Sequence, residues 1–325
     1  MRLKWLLAIL LSALTVTAAT VTVAGAQQFP NQPIRLILGF APGGLTDFTG
    51  RVVAQGLSKA LGGHPVVPEN KPGAAGVTAA AYVARSAPDG YTLILIDPGT
   101  VINPMLRAKL PYKMDELTTI GMVGSSPVVI VASQALPVKD INELIAYGLK
   151  NPRKLAFASA GIGSAPHLSA ELFQSRTGVK MLHIPYAGIG GAFPDLMSGK
   201  IQVAFSSIVG ALPFTSDNKA RALATTGRKR PAAYPDIPTV AEAALPDYAV
   251  DIWLALSAPT GTPEPVVKRL NEALNEALRD KEVIAALAKV GIEAWPTSPQ
   301  EANVFVDGEG KRWPSVIQAA GLAPK

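Results

Sequence analysis

Short apolar runs alternate with segments of helical period along most of the chain, the pattern of an α/β protein with largely parallel strands. The apolar runs predict strands at 34–38, 92–96, 128–132, 154–158, 181–184, 201–205, 221–225 and 252–257. Helical spacing predicts a helix over 48–61, with Val53, Leu57 and Leu61 on one face, and another over 265–278, with Val267, Leu270, Leu274 and Leu278 aligned. A last helix near 299–320 contains Gly308, Gly310 and Pro314, each unfavourable in a helix interior, so a kink is expected there.

The beginning of the chain follows a different pattern. Arg2 and Lys4 precede an uncharged stretch from Trp5 to Ala26 that turns rich in Thr and Ala after Ala13 and ends on Ala24, Gly25 and Ala26. That layout predicts a cleaved signal peptide over 1–26 and a periplasmic product; an uncleaved anchor is the competing reading. Without a cysteine the chain has no disulfide, thiolate nucleophile, Cys-bound metal or lipid-modified N-terminal Cys.

The remaining 299 residues exceed what one hydrophobic core usually organises, and no linker or charge block divides them. The expected architecture is two α/β lobes joined by two crossing segments, near Gly124–Ala132 and Asp251–Pro259. One lobe would be discontinuous, 27–126 with 250–325; the other would span 127–249. The composition, 48% hydrophobic and 17% charged, is that of a globular protein. The net charge of +6 includes Arg2 and Lys4, and so mild a basic excess steers anions only weakly. The short cluster Arg228, Lys229 and Arg230 lacks stacking aromatics and reads as a solvated turn, so nucleic acid is not an expected partner.

Two places repeat one design, an apolar strand running into a glycine-rich loop that opens a helix. The first loop is Pro42–Asp47 (PGGLTD) and the second Gly161–Leu168 (GIGSAPHL). The first amides of a helix lack intrahelical partners and sit at the positive end of its dipole, so they can hold an anion without a cationic side chain. Each residue also has a plainer role. Thr46, Asp47 and Ser164 suit helix caps, Pro166 suits a first turn, His167 suits a structural histidine and Phe40 suits core packing.

Beyond single loops, the segments FPNQPIRLILGFAPGGLTDFTGR, PVVPENKPGAAGVTAA, SAPDGYTLIL and INPMLRAKLPY occur in that order. FASAGIGSAPHLSAELF, HIPYAGIGGAFPDLMSGKIQVAF, YPDIPTVAEAALPDY and APTGTP follow. In wording and order the chain resembles the substrate-binding receptors of tripartite tricarboxylate transporters, the Bug receptors. The resemblance implies a type II periplasmic binding protein fold whose lobes close on a small organic carboxylate for delivery to membrane subunits of the transporter. A monomer without cofactor or metal is expected. Carried over by position, the resemblance nominates Gly44, Leu45, Thr46 and Asp47 in the first loop, and Gly163, Ser164, Ala165 and His167 in the second. Phe40, Gly99, Thr100, Ala187, Gly188 and Ser206 would meet the rest of the ligand. Many such receptors carry an acid or amide where this chain has Ser206 and Ser207. That departure favours a dicarboxylate or aromatic carboxylate over an amino acid.

Enzyme signatures are missing. No G-x-S-x-G occurs, Pro166 spoils a dinucleotide fingerprint, no Lys precedes Ser or Thr, and His64, His167 and His183 lack metal spacing. A Ser164–His167 hydrolytic pair is the residual catalytic reading. A carboxylate sensor feeding a signalling system is the other alternative, since it would use the same cleft.

Overall fold

The computed structural model describes residues 29–324, so the expected leader lies outside the described residues. The chain divides into two units between Asn31 and Gln32. Of the first, 29–31 are described, with a cis bond between Phe29 and Pro30. All the strands and helices named here belong to the second.

The first half of that unit runs β1 (Ile34–Leu38), α1 (Leu45–Ala60), β2 (Val66–Asn70), α2 (Val77–Ala84), β3 (Thr92–Ile96), α3 (Pro98–Leu106) and β4 (Leu117–Ser133). Then come α4 (Ile141–Lys150), β5 (Leu155–Ser159), α5 (Ala165–Thr177), β6 (Met181–Pro185), α6 (Phe193–Met197), β7 (Val203–Ser207), α7 (Ile208–Thr215), β8 (Ala220–Thr225) and α8 (Val240–Ala243). The chain closes with β9 (Asp251–Pro259), α9 (Glu264–Ala277), α10 (Lys281–Lys289), β10 (Glu293–Ala294), α11 (Pro299–Arg312) and α12 (Pro314–Ala319).

The main strand order is β2-β1-β3-β9-β4-β7-β5-β6, with β8 and β10 also paired to β4. β1 is parallel to β2 and β3, and β5 is parallel to β6 and β7. The ladders made by β4 and β9 are antiparallel. Each outer sheet is thus built from parallel βαβ crossovers, and the direction changes where the chain passes between sheets.

β4 makes that passage. Its first part, to Pro127, pairs with β9, and from Val128 it pairs with β7 and β8. It correspondingly feeds two cores: Met122 packs with Ile37, Ile94, Trp253 and Val306, whereas Val129 and Val131 pack with Phe193, Ala204 and Ile208. The architecture is therefore the expected two-lobed one. The return passage lies beside the first, where the Thr226 hydroxyl accepts from the Val128 amide (2.8 Å) and donates to the Val250 carbonyl (2.5 Å).

Three differences from the sequence reading have local causes. The first half of β4 breaks the expected alternation with bulges around Gly121 and Gly124, so only 128–132 reads as a strand. β2 contains Pro68, which an edge strand tolerates because its outer amides need no ladder partner. Helix α1 starts at Leu45, three residues before the expected 48, so the end of the first loop is already its first turn. The expected C-terminal kink falls at Trp313, between α11 and Pro314 of α12, while Gly308 and Gly310 stay helical. Helix α12 packs against both α3 and α5.

Candidate functional site

Because α1 begins at Leu45, its N-cap is Gly44, and neither Thr46 nor Asp47 caps it as the sequence suggested. Gly44 has no side chain to satisfy the following amides, which leaves the helix start available to a ligand. Gly43 makes the preceding turn with φ of +85°, a conformation that costs glycine little. The Asp47 side chain folds back beneath this loop: it accepts from the Gly43 amide (2.9 Å), from Arg51 (3.1 Å) and from Asn70 (3.0 Å), and Asn70 also donates to the Phe40 carbonyl (3.0 Å). Burial opposes ionisation of Asp47, but those bonds outweigh it and hold the carboxyl below its ordinary value.

The second loop is more self-satisfied. The Ser164 hydroxyl donates to the Gly161 carbonyl (2.7 Å) and accepts from the His167 amide (3.4 Å), and the Ser164 amide donates to Gly161 (3.2 Å). Pro166 has no amide to give, and the Gly163 amide donates to His167 Nδ1 (3.2 Å). Of this first turn, the Ala165 amide remains for a ligand. The two loops, alike in sequence, therefore offer unequal sets of donors.

His167 stands behind the loop. It is 1% exposed, stacks on His183 at 4.1 Å between centroids, and faces Glu171 with Nε2 at 3.6 Å. Acceptance at Nδ1 places the ring proton on Nε2. Burial, reinforced by His183, pushes His167 down to about 3, and burial pushes His183 down to about 4, so both rings are neutral.

Between the two loops lies a cavity of about 490 Å³. Phe40, Gly44, Leu45 and Thr46 line it from one side, and Ser164, Ala165, Ala187 and Gly188 from the other. Asp47, Gly163 and His167 instead support the loops. Gly99 lies where the two halves touch, because a Cβ there would stand 3.1 Å from the Gly163 carbonyl. Thr100 is turned to Asp97 in a capping box, and the Ser206 hydroxyl donates to the Ser207 carbonyl (2.9 Å). The wall also includes Asp97, Tyr186, Ser207, Gly210 and Ile252, which the sequence reading did not nominate as contacts. Ser207 is the N-cap of α7, a strand-to-helix junction like the other two but without a glycine-rich signature.

Residues 49–322 match the family described as the tripartite tricarboxylate transporter family receptor. The chain belongs to that family. Protein BugT of Bordetella pertussis is 36% identical over 312 residues, covering 95% of each chain. A solved R. palustris protein with adipate superposes with a TM-score of 0.86 at 32% identity, covering 91% of this chain and all of the other. MatC from Rhodopseudomonas palustris, solved with bound malate, gives 0.80 at 34% identity, covering 89% of this chain and all of the other.

As a family receptor, the chain is a solute-binding protein and not an enzyme. The residual Ser164–His167 pairing is corrected by geometry as well: Ser164 contacts the His167 backbone amide, while the imidazole Nδ1 is engaged by Gly163. No cluster of three or more metal-ligating side chains occurs among the described residues. No described helix is long and apolar enough to cross a membrane. The basic turn is exposed, with Lys229 paired to Glu293 and Arg230 to Glu242.

Among the described residues, no Lys, Arg or His lines the receptor's cavity. Its wall combines apolar side chains with helix starts, so a negative group can be met by amides and dipoles in a site of reduced dielectric. An acid stands elsewhere in the wall. Ser206 and Ser207 indeed carry no charge, but Asp97 supplies a carboxylate from the end of β3. Burial lifts that carboxyl from its ordinary 3.8 to about 6, against the opposing pull of its bonds from Thr100.

Proposed function

We propose that this receptor captures a small organic carboxylate between its two lobes in the periplasm and delivers it to the membrane subunits of a tripartite transporter. The observation that carries the reading is the uncapped start of α1 at Gly44, Leu45 and Thr46, opening into a 490 Å³ cavity that no cationic side chain among the described residues lines. The carboxylate sits on these amides and is met from the facing wall by Ala165, Ser164 and the turn at Ala187 and Gly188. Asp47, Gly163 and His167 hold those loops in shape. The adipate and malate carried by two relatives support the ligand class. Leader residues 1–26 direct export.

Lobes 27–126 with 250–325 and 127–249 close about the paired passages at Pro127 and Val250, and the ligand favours the closed form by touching both. The receptor acts as a monomer without cofactor.

A thermal-shift panel of mono-, di-, tri- and aromatic carboxylates tests this reading. A true ligand at about 100 times its Kd stabilises the fold by roughly 2.7 kcal/mol. A panel without any response sinks the assignment, and turnover of any compound restores the enzyme.

A further inference from the structure

Asp97 lines the cavity yet is only 6% exposed. Its Oδ1 accepts from the Thr100 amide (3.1 Å) and hydroxyl (3.2 Å), closing the N-terminus of α3. Among the described residues it forms no ion pair, and no cationic side chain shares its cavity. Capping alone does not account for a carboxylate here. Asn or Ser caps a helix about as well as Asp and places no net charge in a buried wall.

The surroundings place this carboxylate beside the first loop and the contact between the lobes. A Cβ on Gly76 would stand 4.0 Å from Asp97 Oδ1 and 4.0 Å from the Phe40 ring, so the acid neighbours the first loop. Asp97 is also two residues from Gly99, which meets the Gly163 carbonyl where the lobes touch. A carboxylate on the α1 amides and a second functional group of the same ligand therefore share one small chamber with Asp97. With no cation to offset it, a second ionised carboxylate meets like charge at low dielectric. A hydroxyl or ammonium group finds an acceptor instead.

We propose that Asp97 determines specificity by accepting a hydrogen bond from a hydroxyl or ammonium group of the ligand and disfavouring a second ionised carboxylate. The ligand class is thus a hydroxy- or amino-substituted monocarboxylate. This rests on the carboxylate reading above and narrows it.

The test is calorimetric binding of matched sets to the wild-type protein and to Asp97→Asn, which retains an acceptor for Thr100. One set is butyrate, γ-hydroxybutyrate, γ-aminobutyrate and succinate; the others are their homologues one and two carbons longer and the corresponding para-substituted benzoates. In at least one set the wild type should bind the hydroxy or amino acid roughly ten- to hundredfold more tightly than the dicarboxylate, the scale of one charge-assisted hydrogen bond. Asp97→Asn should erase that preference and strengthen dicarboxylate binding more than binding of the plain monocarboxylate. Wild-type preference for the dicarboxylate in every set, or a hydroxy or amino preference unchanged in Asp97→Asn, overturns the role of Asp97 while leaving carboxylate capture standing. Binding of no carboxylate at all removes both. The wild-type comparison needs no variant, so it decides even if Asp97→Asn folds poorly.

Discussion

Replacing Asp97 with Asn should make the ligand-free protein more stable. The carboxyl is 6% exposed, and burial lifts it from 3.8 to about 6. The folded state therefore holds this proton more tightly than the unfolded state does, and ionisation works against folding. The cost is absent below about 3.8, grows as pH rises toward 6, and is fully present above 6. A displacement of that size corresponds to about 3 kcal/mol. Asn resembles the protonated acid in shape and charge and can still accept from the Thr100 amide. Above pH 7 the variant should gain about 3 kcal/mol, near 5 °C in Tm for a unit of this size, and below pH 4 the two proteins should unfold together. Urea titrations at both pH values, without ligand, make the comparison. A variant no more stable than wild type above pH 7, or an advantage that persists below pH 4, refutes the argument that a buried charge is retained here at the fold's expense.

Gly44→Val should abolish ligand binding while leaving the denaturation midpoint nearly unchanged. Gly44 has φ of −90°, and the nearest atom to an added Cβ is the Ala41 carbonyl at 3.8 Å, so wild-type affinity in the folded variant would remove the amides of α1 from the site. Gly99→Ala puts a Cβ 3.1 Å from the Gly163 carbonyl and 3.2 Å from that of Ala75; an overpacking cost of about 1–3 kcal/mol should weaken binding about tenfold or more and limit ligand-induced compaction in small-angle scattering. Unchanged affinity and compaction would show that the lobes need not meet there. His167→Phe keeps a ring against His183 but strips the Gly163 amide of its acceptor, so chemical denaturation should show a loss of about 1–3 kcal/mol; no loss would mean the loop does not depend on Nδ1.

The apolar run of β1, the helical spacing of α1 and α9, and the glycine loops were legible because each is a property of neighbouring residues. The loops stood out because a strand, a tight turn and a helix start occupy a dozen consecutive positions. Asp97 was hidden for the same reason: in sequence it is an ordinary helix cap before Pro98, and nothing local says that the cap faces a cavity. His167 erred in the opposite direction, since its place in the loop suggested contact, yet folding turned its ring inward onto His183. Ser207 and Tyr186 likewise became wall residues through the pairing of β7 and β6 with β5, which no local pattern announces.

By itself the sequence determined the alternation of strands and helices, the family, and the two places where helix starts could receive an anion. These depend on backbone geometry and side-chain periodicity over a few residues. Only the tertiary structure decided which amides stay open, which side chains turn away, and that a buried acid shares the chamber. Those outcomes depend on contacts such as Gly99 with Gly163 and Thr226 with Val128, between residues far apart in the chain, where packing and desolvation act on the assembled lobes.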